Sequence, residues 1–391
     1  MKFFVKTFGC IQNTADSQRI RCFYLNKGFE EVKSWKESDV VIINSCIVRE
    51  SAENRVYGLI NEIDKWNKTL RPSGTSLDRA AIKIIVTGCL AGLANKDKNK
   101  TKLKQLKRDF PTVSKFMPIE KISFEIKPLR ENKDMALIPI SFGCSNFCSY
   151  CIVPFARGQE RSRKMEYIIK EVDEAVETGF KKVMLIGQNV NSYGSDFKPS
   201  PAKSRTSLDR EANYLVHMGK KRFRSMFHVL LEEVAKKDLE KISFVSSNPW
   251  DFSDELIDTI AKYPNIDRLL HLPFQAGDDE ILKKMNRGYT FAQYLELVKK
   301  IKLKIPEVRF STDIIIGFPG EDEKAFQKTI KLCKKIGFEI AYLNKYSPRK
   351  GTVSAKIYKD DIPMNEKKRR WTVLNELINK KRSNNKYYLS D

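Results

Sequence analysis

In the first part of the chain, short apolar runs alternate with amphipathic stretches. Phe3-Phe4-Val5, Val40-Val41-Ile42-Ile43 and Ile84-Ile85-Val86 are rich in β-branched or aromatic residues, and each predicts a strand. Asp16 to Leu25 and Glu50 to Ile63 carry apolar positions at helical spacing. Strands separated by helices predict an open parallel α/β sheet. The three runs end alike, in Thr7-Phe8-Gly9-Cys10, Asn44-Ser45-Cys46 and Thr87-Gly88-Cys89. The carboxyl ends of parallel strands lie along one sheet edge, so Cys10, Cys46 and Cys89 can converge there.

A Lys-rich passage from Lys96 to Arg108 and a Pro-containing connector through Pro128 lead to a second series. Its strands are predicted at Ala136 to Ser141, Lys182 to Ile186, Lys241 to Ser246, Arg268 to Leu272, Arg309 to Ile316 and Glu339 to Lys345. Helical patterns intervene at Glu166 to Glu177, Met226 to Lys236, Asp254 to Lys262, Phe291 to Lys302 and Glu323 to Lys335. This βα repetition predicts a barrel or part of one. A last helix, Glu366 to Lys381, has Trp371, Leu374, Leu377 and Ile378 on one apolar stripe. The expected units are 1–125, 134–362 and 363–391. Thr75-Ser76-Leu77-Asp78-Arg79-Ala80-Ala81 and Thr206-Ser207-Leu208-Asp209-Arg210-Glu211-Ala212 match at all but one position and read as two related surface-loop insertions, where added length is tolerated.

Composition narrows the function classes. The chain has 391 residues, and its 41% apolar content is enough for full cores, which excludes a charge-dominated disordered chain. Met1 to Lys6 lacks a signal-peptide core and no long uncharged apolar run follows, so a soluble, cytoplasmic protein with no membrane association is expected. Lys and Arg number 72 against 49 Asp and Glu, and the net charge of +23 predicts a polyanionic partner, nucleic acid first. In a reducing compartment the eight cysteines read as metal or redox groups rather than a disulfide framework. Cys22 and Cys333 fall in helical patterns and read as core.

Cys144, Cys148 and Cys151 form C-x3-C-x2-C directly after the first strand of the second series. Structural zinc takes four ligands in a closed tetrahedron, and no fourth Cys or His lies nearby in sequence. Three thiolates suit a cubic iron-sulfur cluster instead, holding three irons and leaving the fourth open to a small ligand. With an aromatic residue, Tyr150, before the last cysteine, the motif resembles that of the radical S-adenosylmethionine (SAM) superfamily. The resemblance implies a partial (β/α)6 barrel, a 4Fe-4S cluster whose open iron chelates SAM, and cleavage of SAM to a 5′-deoxyadenosyl radical.

Cys10, Cys46 and Cys89 are 36 and 43 residues apart, which excludes a local metal knuckle and favours a second cluster assembled by the fold. Thr7 to Asn13, Asn44 to Glu50 and Val86 to Cys89 look like the N-terminal domain of the radical SAM methylthiotransferases. Gly187 to Tyr193, His271 to Gly277, Met285 to Thr290, Asp313 to Glu321 and Tyr346 to Thr352 match the same family. Gln188-Asn189-Val190-Asn191 is most similar to the MiaB-type branch, which makes 2-methylthio-N6-isopentenyladenosine in tRNA.

The resemblance implies two 4Fe-4S clusters and SAM as cofactors. Cys144, Cys148 and Cys151 would hold the SAM cluster, and Cys10, Cys46 and Cys89 an auxiliary cluster carrying sulfur. Tyr150, Gln188 and Asp313 would contact SAM. The implied substrate is tRNA with N6-isopentenyladenosine at position 37, with a reducing partner such as flavodoxin or ferredoxin and a monomeric enzyme. Alternatives are a relative acting on threonylcarbamoyl-adenosine or a ribosomal-protein aspartate, or a non-catalytic iron-sulfur RNA-binding protein. Family members usually continue into a small RNA-binding barrel, the TRAM domain. Only Arg382 to Asp391 follow the last helix, too few for one, so either tRNA affinity comes from the basic surface or a partner, or the sequence is truncated.

Overall fold

The computed structural model describes residues 1–48, 50–69, 80–122, 126–130, 134–197, 214–217 and 220–380. Apart from Ala80 and Ala81, the two matching insertions fall outside them, as does the tail after Lys380.

The N-terminal unit is a five-stranded parallel sheet of β1 (Lys2–Phe8), β2 (Glu30–Glu31), β3 (Val40–Ser45), β4 (Lys83–Gly88) and β5 (Val113–Phe116), ordered β2-β1-β3-β4-β5. All six residues of β3 are buried, as a central parallel strand covered on both faces requires. Its side chains alternate between two cores. Val40 and Ile42 join Phe3, Ile20 and Tyr24 under α1 (Ile11–Leu25), while Val41 and Ile43 join Val56, Ile60 and Leu106 under α2 (Glu50–Thr69), α3 (Cys89–Lys96) and α4 (Thr101–Asp109). The sequence pattern missed β5, whose four residues bury only Val113 and Phe116. The Lys-rich passage contains α4, anchored by Leu106 with its lysines toward solvent.

The second unit contains β6 (Ala136–Pro139), the short antiparallel pair β7 (Ser141–Phe142) and β8 (Arg161–Ser162), and β9 (Lys182–Ile186). An antiparallel hairpin, β10 (Tyr214–His217) with β11 (Lys220–Phe223), precedes β12 (Lys241–Phe244), β13 (Leu269–His271), β14 (Arg309–Ile316) and β15 (Ile340–Lys345). Parallel pairing gives β6-β9-β12 and β13-β14-β15. The Ile242–Ile266 bridge joins the two halves into one open six-stranded barrel wall in chain order. Its helices are α5 (Val153–Arg157), α6 (Met165–Glu177), α7 (Phe227–Ala235), α8 (Asp254–Lys262), α9 (Asp279–Lys284), α10 (Phe291–Lys304), α11 (Glu323–Ile336) and α12 (Val353–Ile357). The last helix, α13 (Met364–Ile378), packs Leu374 and Ile378 into the barrel core and ends three residues before the predicted Lys381. Cys333 is buried in that core and Cys22 is half-buried on α1.

The two units share buried surface. Ala15 of α1 packs on Leu137 of β6 and Ile186 of β9, and Ile152 and Ala156 of the barrel unit enter the N-terminal core. Among the described residues, no helix is long and apolar enough to cross a membrane.

Candidate functional site: two cysteine trios at facing sheet edges

Strand register places the N-terminal cysteines. Phe8 of β1 pairs with Ser45 of β3, and Ser45 with Gly88 of β4, so three strand ends stand in one rank. Cys10 follows as the N-cap of α1, Cys46 leaves β3 directly, and Cys89 opens α3. A buried amide network holds the rank: Asn13 Nδ2 donates to Asn44 Oδ1 at 3.0 Å, and Asn44 Nδ2 donates to the Asn13 carbonyl at 2.8 Å. Gly88 has φ +79°, and a Cβ there would lie 2.4 Å from the Ser45 carbonyl oxygen, so only glycine allows this approach of β4 to β3.

Cys46 and Cys89 are buried within hydrogen-bonding reach of each other. That bond and burial push the Cys89 thiol well up. Cys10 is the exposed member of the trio. Water reaches the thiol, yet the surrounding protein pushes it up, and the Arg157 charge works the other way. Metal coordination reverses this balance, because a coordinating thiol is deprotonated outright.

The barrel trio sits in the loop 143–160, closed at its base by the Ser141–Ser162 and Phe142–Arg161 pairs. Gly143 turns the chain at φ +66°, with the Gln159 carbonyl oxygen 2.2 Å from where a Cβ would be. The Cys151 N–H donates to the Cys148 carbonyl at 3.0 Å, which folds the two cysteines onto one turn. Residues 285–287 brace that turn: the Ser149 N–H donates to the Met285 carbonyl at 2.9 Å, and Asn286 Nδ2 to the Phe147 carbonyl at 2.9 Å. Burial and the neighbouring Cys148 push the Cys151 thiol up to about 12, and burial drives Cys144 and Tyr150 well up.

Each trio has one guanidinium aimed at a sulfur, half-buried at Arg287 and buried at Arg157. Arg287 Nη1 donates to Cys148 Sγ at 3.3 Å while its Nη2 donates to Asn248 Oδ1 at 3.0 Å. Arg157, from the barrel unit, crosses to the N-terminal trio: Nε donates to Cys89 Sγ at 3.1 Å and Nη2 to Asp16 Oδ2 at 2.8 Å. Cys89 also lies close enough to Cys151 for its charge to raise that thiol, so the trios are neighbours. Sequence reasoning missed Arg157, a lone arginine six residues past Cys151. Arg287 stood inside a quoted motif without a role.

A cavity of about 740 Å³ opens beside Cys151. Tyr150, Asp313 and Arg349 line it from the barrel, and Val48, Glu50 and Ser51 from the N-terminal unit. His271 Nδ1 accepts from the Ser246 N–H at 3.1 Å, which leaves the ring proton on Nε2, 3.1 Å from Asp313 Oδ2. Gln188, half-buried two residues beyond β9, is not in the cavity lining. In the same segment Asn191 is buried, and among the described residues neither of its side-chain amide atoms has a partner, as expected where a polar ligand belongs.

These donor sets fit iron-sulfur clusters. Among the described residues, no three Cys, His, Asp or Glu side chains close on a single ion, as zinc would require. A cubane holds each thiolate at a different iron and accepts three that stand apart.

A family profile described as the Radical SAM superfamily matches residues 138–333, and one described as "Uncharacterized protein family UPF0004" matches residues 2–109. The tRNA-2-methylthio-N(6)-dimethylallyladenosine synthase of Thermotoga petrophila is 38% identical over 99% of this chain and 83% of its own length. The protein of that name from Clostridium botulinum strain Okra is 38% identical over 97% of this chain and 81% of its own. A solved structure of the radical SAM methyltransferase TsrM from Kitasatospora setae, with cobalamin and a [4Fe-4S] cluster bound, superposes with a TM-score of 0.54. It covers 91% of this chain and 77% of that one, and at 12% identity the likeness concerns the fold alone.

Proposed function

Since the chain belongs to the tRNA-2-methylthio-N(6)-dimethylallyladenosine synthase family, a branch of the radical SAM methylthiotransferases, we propose that it converts N6-isopentenyladenosine at position 37 of tRNA to its 2-methylthio derivative. It uses SAM and two 4Fe-4S clusters, which when bound supply the sulfur, the methyl group and the radical that removes a hydrogen from an unactivated carbon. Adenine C2–H is not acidic enough for a base at neutral pH, so no general-base pair is required of the protein.

Cys144, Cys148 and Cys151 hold one cluster, and Cys10, Cys46 and Cys89 the other. Arg287 and Arg157 place a fixed positive charge beside one ligand sulfur of each, favouring the thiolate. Tyr150 and Asp313 face the cavity beside Cys151, where SAM and the adenine meet. Asp313 lines this cavity with its Oδ2 3.1 Å from His271 Nε2. The units are 1–125 for the auxiliary site, 134–362 for the radical core and 363–391 for the closing helix and tail. The enzyme acts as a cytoplasmic monomer, reduced by a flavodoxin- or ferredoxin-type protein.

The observation that carries this reading is the adjacency of the two trios, with Arg157 of one unit bonded to Cys89 of the other. Anaerobically reconstituted protein should hold about eight irons, two cubanes' worth. Cys89→Ala should retain SAM cleavage to 5′-deoxyadenosine and lose methylthiolation, read by nucleoside mass spectrometry. Full methylthiolation by that variant would refute the assignment.

A further inference from the structure

The mouth of the cavity beside Cys151 combines two features that the chemistry inside does not need. Four large apolar side chains stand open to solvent there: Val48 at 47% and Met364 at 52% exposure line the cavity, and Val353 at 45% and Ile357 at 62% share one face of α12. α12 sits against the cluster loop, since the Ser354 N–H donates to the Ser149 carbonyl at 2.8 Å and Tyr346 Oη lies 3.1 Å from Ser354 Oγ. The same segment carries Lys350, Lys356 and Lys359, all exposed and, among the described residues, without a carboxylate partner. Of the nearby acids, Asp360 is paired with Lys367, while Asp361 accepts from the Gly320 N–H and Glu50 from Ser347. The lip therefore presents three lysines free of ion pairs among the described residues beside an apolar step.

We propose that this lip, α12 with its flanking lysines, is the docking surface for the single-stranded RNA loop that presents the target adenosine. Phosphates on either side of the extruded base contact Lys350, Lys356 and Lys359, while Val353 and Ile357 fill the place of the stacking neighbour that the base leaves. Neither contribution alone would select a nucleic acid. A polyanion explains the lysines and an apolar ligand the valine and isoleucine, but a single strand with open base faces explains both. The proposal rests on the tRNA reading above and specifies which surface that substrate uses.

The test compares full-length, anaerobically reconstituted enzymes binding an anticodon stem-loop that carries N6-isopentenyladenosine, titrated at several salt concentrations. Each phosphate contact on single-stranded nucleic acid contributes about 0.7 to the slope of log affinity against log salt, so Lys350→Ala/Lys356→Ala/Lys359→Ala should reduce it by about 2. The corresponding loss is about a hundredfold at 0.1 M salt and fades toward 1 M. Val353→Ser/Ile357→Ser should weaken binding about tenfold with the salt slope unchanged. The matched control removes Lys331, Lys334 and Lys335, which are exposed on α11. Iron content and unfolding midpoint confirm that each variant is folded. If the lip and control triples lose affinity equally, or the lip variants bind as the unaltered enzyme does, the lip is not the docking surface while the tRNA reading stands. If the unaltered enzyme neither binds nor methylthiolates this RNA, both fail.

Discussion

Arg157 is the test of whether the auxiliary site is completed by the barrel unit. Its side chain is 3% exposed and pairs at 2.8 Å with Asp16, which is 2% exposed, while its Nε reaches Cys89 Sγ at 3.1 Å. Arg157→Leu leaves the Asp16 carboxylate buried without its counter-charge, and breaking a buried pair from one side costs about 3–5 kcal/mol. At about 2–4 °C per kcal/mol for a unit of this size, the unfolding midpoint should drop by about 6–20 °C. Arg157→Leu/Asp16→Leu removes both charges and should recover most of that loss, since an apolar replacement of a buried pair is often close to neutral.

Stability alone does not isolate the sulfur contact, so the second readout is electrochemical. With Cys144, Cys148 and Cys151 changed to Ala, the N-terminal cluster can be titrated alone by EPR. A guanidinium beside a ligand sulfur stabilises the more negative, reduced state. The midpoint potential should therefore fall in Arg157→Leu, fall less in the double variant, which also removes the Asp16 charge, and return part-way in Arg157→Lys. A potential unchanged in Arg157→Leu would refute a role for Arg157 at the site and leave only an ion pair.

Three further outcomes follow from the barrel unit. Arg287→Lys keeps the charge but loses the planar fork that spans Cys148 and Asn248, and should slow SAM cleavage about tenfold, roughly one charge-assisted hydrogen bond, with iron content retained. Gly143→Ala places a Cβ 2.2 Å from the Gln159 carbonyl oxygen, and should halve the iron count to about four by displacing the cysteine loop, the N-terminal cluster remaining. Burial raises Glu321 from 4.5 to about 7. Between these two values the folded protein holds a proton that the unfolded chain has released, so this residue's contribution to stability, about 3 kcal/mol, is full below pH 4.5 and is lost as pH rises through 7. Glu321→Gln should flatten the decline of the unfolding midpoint between pH 5 and pH 8.

The central parallel strands were legible because such strands are apolar on both faces: Val40 to Ile43 and Ile314 to Ile316 announce themselves. β5 and β2 were not, being edge strands of four and two residues with few buried positions. The gathering of the six cysteines into two trios was legible from their place after strands. Their supporting residues were not, since Arg157 and Asp16 are separated by 141 residues and Arg287 and Cys148 by 139. One-dimensional pattern cannot foretell a polar contact of that span, because burial of a charge is decided by tertiary packing and leaves no period in the sequence.

The relative placement of the two trios is fixed by α1, the helix that Cys10 caps. Apolar packing of Ala15 on Leu137 and Ile186 brings α1 to the barrel but tolerates sliding. Its polar contacts do not. Arg19, one turn from Ala15, reaches Glu171 of α6 at 2.7 Å, and the same carboxylate takes Arg130 at 2.7 Å and Arg163 at 2.8 Å. One buried carboxylate among three buried guanidiniums has directional partners on every side, and a small shift would leave an uncompensated charge in a dry interface. Asp16, on the same helix, is held by Arg157, whose other nitrogen holds Cys89. Cys10 and Cys89 thus take their positions from barrel residues as much as from their own sheet. The spacing between the two cysteine-bearing edges is then a property of the folded chain, set by its own side chains.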